Sequence, residues 1–269
     1  MSATRLDVSL ERYEIGLSGA VPDRSNWSEP AMDRAILEFV ALFSGIVFKY
    51  GGRIVHGSHP TFSSVILRQA RLHAGPRSRK PVTLVMSELW AKDLKEEDIG
   101  GMTDVAEFIV TRQIGNVGPA DAKTRNDSLS AMRRVLIDSQ NMMVAVGGKM
   151  HAADGNTPGV QEEMDLAKHK NVPRFLLAGM GGYTAQYARE LTPAALLNGL
   201  SDEENILLFS TNDVSACVNV LFEHLATSAG LAQLVDQPIR WNPDNQAVID
   251  HRDGTIDAAS TGHLLRIAV

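Results

Sequence analysis

Short apolar runs, four of them ending in glycine-bearing segments, alternate with helical stretches along most of this chain. That alternation constrains the fold more than any other feature. The runs are residues 14–21 (EIGLSGAV), 53–56 (RIVH), 81–86 (PVTLVM), 107–111 (EFIVT), 142–146 (MMVAV), 173–178 (PRFLLA) and 205–209 (NILLF). Each reads as a strand, and the most apolar suit a sheet covered on both faces. Between the first two, Ser28 is a cap for a helix with Glu29 and Pro30 in its first turn. The apolar stripe of that helix is Ile36, Phe39, Val40, Phe43, Ile46, Val47 and Tyr50, and Gly51-Gly52 stops it. Thr61 caps a second helix running to about Leu72. Residues 121–138 form another, with Leu129, Met132, Val135 and Leu136 inward. Further helices are expected from about Thr157 to His169, from about Tyr183, and over 213–226, while 91–98 is a charged surface helix or loop. Strands and helices in this order specify an α/β fold: a Rossmann-like doubly wound parallel sheet with helices on both faces. Connection handedness then lines the strand C-termini along one edge, where ligands bind in such sheets.

The composition bounds the rest. At 269 residues, 44% hydrophobic and 22% charged, the chain has material for one large core. A net charge of −6 argues against general nucleic-acid binding, which needs a basic face. Cys217 is the single cysteine and lies in an apolar stretch, so it is expected in the core, with no Cys-based zinc site. The opening MSATRLDVSLERYE has no apolar run, and no segment reaches the ~20 apolar residues of a membrane span. A cytoplasmic protein without membrane contact is expected. Residues 1–230 form the ligand-binding unit. The character changes over 231–269, where Asp253-Gly254 between short apolar runs suggests a small hairpin with an accessory or oligomerisation role.

Four predicted strand ends carry small loops: Gly16-Leu17-Ser18-Gly19, Gly57-Ser58-His59, Gly147-Gly148-Lys149 and Gly179-Met180-Gly181-Gly182. Amides in such loops and at helix N-termini attract phosphate. Lys149 adds a cation, and Arg133 and Arg134 stand on the helix before the Gly-Gly-Lys strand. Beyond Lys149 and a short polar loop, Pro158 and Gly159 open a helix with Glu162 and Glu163 in its first turn. Amides and cations for phosphate, and a carboxylate for a sugar, suit a phosphorylated ribose compound. The plain alternative is a connection whose acids sit near a positive helix end. G-x-G-x-x-G, G-x-x-x-x-G-K-[ST] and G-x-S-x-G are all absent, which speaks against ordinary hydride transfer, P-loop chemistry and a nucleophilic serine. His56 and His59 lack a third ligand, so no metal and no cofactor is expected.

These residues resemble the SLOG superfamily, which groups Smf/DprA proteins, LOG phosphoribohydrolases and nucleotide-sensing domains. LOG enzymes carry PGGxGTxxE. The counterpart here is Val146-Gly147-Gly148, a longer insertion, then Gly159-Val160-Gln161-Glu162-Glu163. On that match Glu163 takes the place of the family glutamate implicated in cleaving the N-glycosidic bond, and Arg133 or Arg134 that of the upstream arginine. Valines replace the motif's proline and threonine. The order Arg133/Arg134, Lys149, Glu163 is similar to the ADP-ribose-sensing SLOG domains. The segments around Gly19, Gly57 and Gly181 look like the SLOG families found beside TIR and nucleosidase domains in bacterial conflict systems.

The resemblance implies a nucleotide ligand, an oligomer, and a TIR or nucleosidase partner in antiphage defence or NAD-linked signalling. Three readings stay open. One is a binding domain for an ADP-ribose-like or cyclic nucleotide, using Gly16, Ser18, Gly19, Gly57, Ser58, His59, Arg133, Arg134, Gly147, Gly148, Lys149, Gly159, Glu163, Gly179, Gly181 and Gly182. Another is a nucleotide N-glycosidase with Glu163 as the catalytic carboxylate, aided by Glu162. The third is a scaffolding domain whose glycines only make turns.

Overall fold

A computed structural model describes residues 9–22, 29–150 and 157–228, together with four short strands between 240 and 266. The first sheet has six parallel strands: β1 (Glu14–Ala20), β2 (Arg53–His56), β3 (Val82–Ser87), β4 (Ala106–Thr111), β5 (Met142–Gly147) and β6 (Arg174–Leu177). Their order is β4-β3-β2-β1-β5-β6. The chain therefore builds outward from β1 through β2 and β3 to β4, then returns to the other side of β1. That reversal between β1 and β5 is the topological switch point, where open α/β sheets bind ligands.

The pleat explains how helices cover both faces. Ile15 and Leu17 of β1, Leu84 of β3, Val144 and Val146 of β5 and Phe175 of β6 share one core with Ile36, Phe39, Phe43, Phe62 and Leu221. Those last five residues come from α1 (Pro30–Lys49), α2 (Pro60–His73) and α9 (Val214–Ser228). Strand residues of the opposite parity face α5 (Ala122–Asp138), α6 (Gly159–His169) and α7 (Gly182–Ala188).

On that second face the apolar packing falls into two clusters. Val55 and Val85 pack with Leu129, Met132 and Leu136, while Met143, Ala145 and Leu176 pack with Val160, Met164 and Tyr183. The strand between them is β1, and its residues of this parity, Gly16 and Ser18, bring no apolar side chain. A gap over the middle of the sheet follows from those two small residues.

Several sequence expectations change here. Residues 205–209 are not a strand but lie in α8 (Asp202–Ser210). A capping box starts that helix: the Ser201 hydroxyl accepts from the Glu204 amide at 3.2 Å, and Glu204 Oε2 accepts from the Ser201 amide at 2.7 Å. Gly16–Gly19 is not a loop but part of β1. His59, not Thr61, caps α2: its side chain accepts from the Thr61 amide. Helix α6 begins at Gly159, which puts Glu162 in its first turn and Glu163 just beyond. Glu29 precedes α1, and the expected cap Ser28 lies outside the described residues. The charged stretch near 91–98 carries two short helices, α3 (Glu88–Ala91) and α4 (Glu96–Gly100).

Beyond residue 230 the described strands are β7 (Arg240–Asn242), β8 (Ala247–Asp250), β9 (Thr255–Ala258) and β10 (Leu264–Arg266), paired antiparallel in the order β7-β10-β9-β8. Strands β8 and β9 pair antiparallel on either side of Asp253-Gly254, and the hairpin turn expected at those two residues lies outside the described residues. Among the described residues, no helix is long and apolar enough to cross a membrane.

Candidate functional site

A cleft of about 150 Å³ opens at the switch point, several times what one ordered water needs. Its floor is the end of β1, Leu17 to Ala20; its walls are His56, Gly57 and His59 after β2, and Gly148 and Lys149 after β5. Helix α5 contributes Leu129, Met132 and Arg133, and the start of α6 contributes Thr157, Gly159, Val160 and Glu163.

Gln140 covers Gly16, and beside Ser18 the layer is polar: Arg133 and Glu163 line the cleft there. The Ser18 hydroxyl donates to Glu163 Oε2 at 2.5 Å. Arg133 Nε lies 3.7 Å from Glu163 Oε1, and Arg133 Nη1 donates to Glu162. These side chains are deep: Arg133 is 10% exposed, Glu163 13% and Glu162 20%. Burial pushes the Glu163 carboxyl above its ordinary range; Glu162 adds to this, while Arg133 and the Ser18 hydroxyl act the other way. The upward direction prevails because desolvation by burial is the largest of these effects; Arg133 donates its Nη1 to Glu162 and faces Glu163 as an ion pair at 3.7 Å.

The backbone shapes the mouth. Gly147 and Gly148 take φ of +65° and +94°, a left-handed turn suited to glycine. A Cβ on Gly148 would stand 2.5 Å from Val160 Cγ2, so the turn presses directly on the first turn of α6. Among the described residues no side chain caps α6 at Pro158, and the first turn of that helix borders the cleft at Gly159 and Val160. A Cβ on Gly159 would lie 3.0 Å from Arg133 Nη2, which sets the guanidinium across the same helix end.

Of the residues singled out from sequence, Ser18, Gly19, Gly57, His59, Arg133, Gly148, Lys149, Gly159 and Glu163 line this cleft. The others stand elsewhere. Gly16 faces the side chain of Gln140, and Arg134 is exposed on α5. Ser58 donates to the Val85 carbonyl at 3.1 Å, from a backbone with φ of +59°. Gly147 packs on the Ala20 carbonyl, Gly182 on the backbone of Gly147, and Gly179 on the backbone of Thr211. Gly181 precedes α7 and Glu162 holds Arg133; neither is among the lining residues.

Sequence reasoning missed Leu129, Met132, Thr157 and Val160 as walls of the cleft, and named His56 only in passing. The His56 nitrogens lie 2.9 Å from the Leu17 carbonyl and 3.3 Å from that of His59, and burial lowers its pKa. Its role is to tie β1 to the loop after β2. Among the described residues, no three His, Cys, Asp or Glu side chains are grouped to hold a metal ion.

A family model described as SLOG cluster2 matches residues 37–205, well over half of the chain. The protein belongs to this SLOG family. The match takes in most of the cleft, from His56 to Glu163, and membership gives the chain a nucleotide-related function. No curated protein matches it. Among solved structures, the SLOG chain is similar to TM1055, a structural-genomics target, at 14% identity and a TM-score of 0.43, over 66% of this chain and 82% of that one. It is also similar to DNA processing protein A from Helicobacter pylori, at 12% identity and a TM-score of 0.43, over 82% of this chain and 84% of that one. For that protein a single-stranded DNA binding mode is described.

Proposed function

We propose that this SLOG domain binds a nucleotide of the ADP-ribose class in the switch-point cleft, as a signal in bacterial defence or nucleotide signalling. One observation carries the reading: Arg133, Lys149 and the uncapped start of α6 converge on a cleft whose inner wall is the Ser18–Glu163 pair. Cations and helix amides suit a phosphate, and the buried carboxyl suits a ribose hydroxyl. Binding passes to a partner or across an oligomer by favouring the liganded state. Isothermal calorimetry with ADP-ribose, its cyclic isomers and nucleoside monophosphates tests this. Saturable binding is the expected result, and no binding at millimolar concentration would overturn it.

A second reading has its own observation. Glu163 is buried with its pKa raised, beside an arginine, in a cleft; such perturbed carboxyls cluster where chemistry occurs. Hydrolysis of an N-glycosidic bond releases the base and adds water to the sugar carbon through an oxocarbenium-like state. A nearby carboxylate stabilises that state, and Glu163 takes this form above its raised pKa. Free base released by the wild type and not by Glu163→Gln would make the domain a nucleotide N-glycosidase.

A further inference from the structure

We infer that Glu162 competes with the ligand for Arg133, and so sets how strongly the cleft holds an anion. This rests on the proposed nucleotide reading, and it separates two neighbouring acids that the sequence presents as a pair. Consecutive helix positions diverge by about 100°, so one carboxylate can face the cleft while its neighbour does not. Glu163 lines the cleft and meets Ser18; Glu162 is not among the lining residues, is the more exposed of the two, and takes Arg133 Nη1.

Arg133 is the shared element. Its Nη2 lies across the first turn of α6, at 3.0 Å from where a Gly159 Cβ would stand, beside the amides that suit a phosphate. Its Nε is buried and makes no hydrogen bond among the described residues. Arg133 thus lines the cleft with Glu163 facing its Nε at 3.7 Å, while Glu162, outside the lining, takes Nη1. A phosphate entering there shares Arg133 with Glu162 and meets the repulsion of that carboxylate. Glu162 is a positioning residue whose charge weakens anion binding, and the acid of the cleft itself is Glu163.

The test is calorimetry on the full chain, with AMP as the anionic probe and adenosine as its uncharged counterpart. Glu162→Gln is expected to bind AMP about tenfold more tightly than wild type, a shift of about 1.4 kcal/mol, with adenosine affinity unchanged. Glu162→Ala should tighten AMP binding in the same direction, and thermal melts of both variants report that the fold is intact. Equal or weaker AMP binding by both folded variants overturns the inference and leaves the nucleotide reading standing. A gain that appears equally for adenosine also overturns it, because charge would then not be the cause. Absence of AMP binding by wild type and variants alike overturns this inference, and the nucleotide reading falls with it where ADP-ribose and its cyclic isomers fail to bind as well.

Discussion

At the scale of single residues, the site depends on two small side chains in β1. Gly16 and Ser18 bring no apolar side chain to the apolar layer, and beside Ser18, Arg133 and Glu163 meet from the neighbouring helices α5 and α6. The energetic sign of this arrangement is open to measurement. Burial raises the Glu163 pKa in the folded chain, so the native state binds that proton more tightly than the unfolded one. Stability from this group is complete below the unfolded carboxylate value of about 4.3 and is lost as pH rises through the folded value. Glu163→Gln, uncharged at every pH, is therefore predicted to melt above wild type at about pH 8 and to lose that margin by about pH 4. A margin that instead widens on acidification would show that Arg133 outweighs burial.

The choice between Arg133 and Arg134 was legible in the sequence. Positions 129, 132, 133 and 136 follow the i, i+3, i+4, i+7 pattern of one helix face, and all four are buried. A stripe drawn through Val135 instead hid that phase.

At the scale of elements, the glycines divide into two kinds that composition alone does not separate. Gly57, Gly148 and Gly159 border the cleft, whereas Gly179 and Gly182 let one strand-end loop pack on another backbone. A Cβ on Gly182 would stand 2.4 Å from the carbonyl carbon of Gly147, and its φ is +67°. Gly182→Ala is predicted to cost about 1–3 kcal/mol from backbone strain alone, read as a lower midpoint in urea denaturation. An unchanged midpoint would contradict this packing role.

The misread element is as instructive. The apolar run at 205–209 suggested a strand, yet Ser201 and Glu204 stand at capping-box spacing just before it, and the helix they start prevails. A short apolar run is ambiguous by itself, and the cap was the deciding signal. Strands β3 and β5 were easier to read because their continuous burial leaves unbroken, mainly apolar runs in the sequence.

At the scale of the whole molecule, the order β4-β3-β2-β1-β5-β6 puts the reversal beside β1, and the described cleft opens there. Alternation of strands and helices was enough to expect such an edge, and the loops after β2 and β5 pointed to it. What the sequence did not reveal was the apolar contribution of α5: Leu129 and Met132 wall the cleft beside Arg133 because the crossover from β4 to β5 lies over the second face. Long-range placement of this kind carries no local signature. The central claim, that the switch-point cleft holds the nucleotide, is tested most directly by amide chemical-shift mapping of the full chain titrated with ADP-ribose. The account predicts saturable shifts centred on Ser18, Gly19, Gly57, Gly148, Gly159 and Glu163; saturable shifts centred elsewhere, with these amides unmoved, would contradict it.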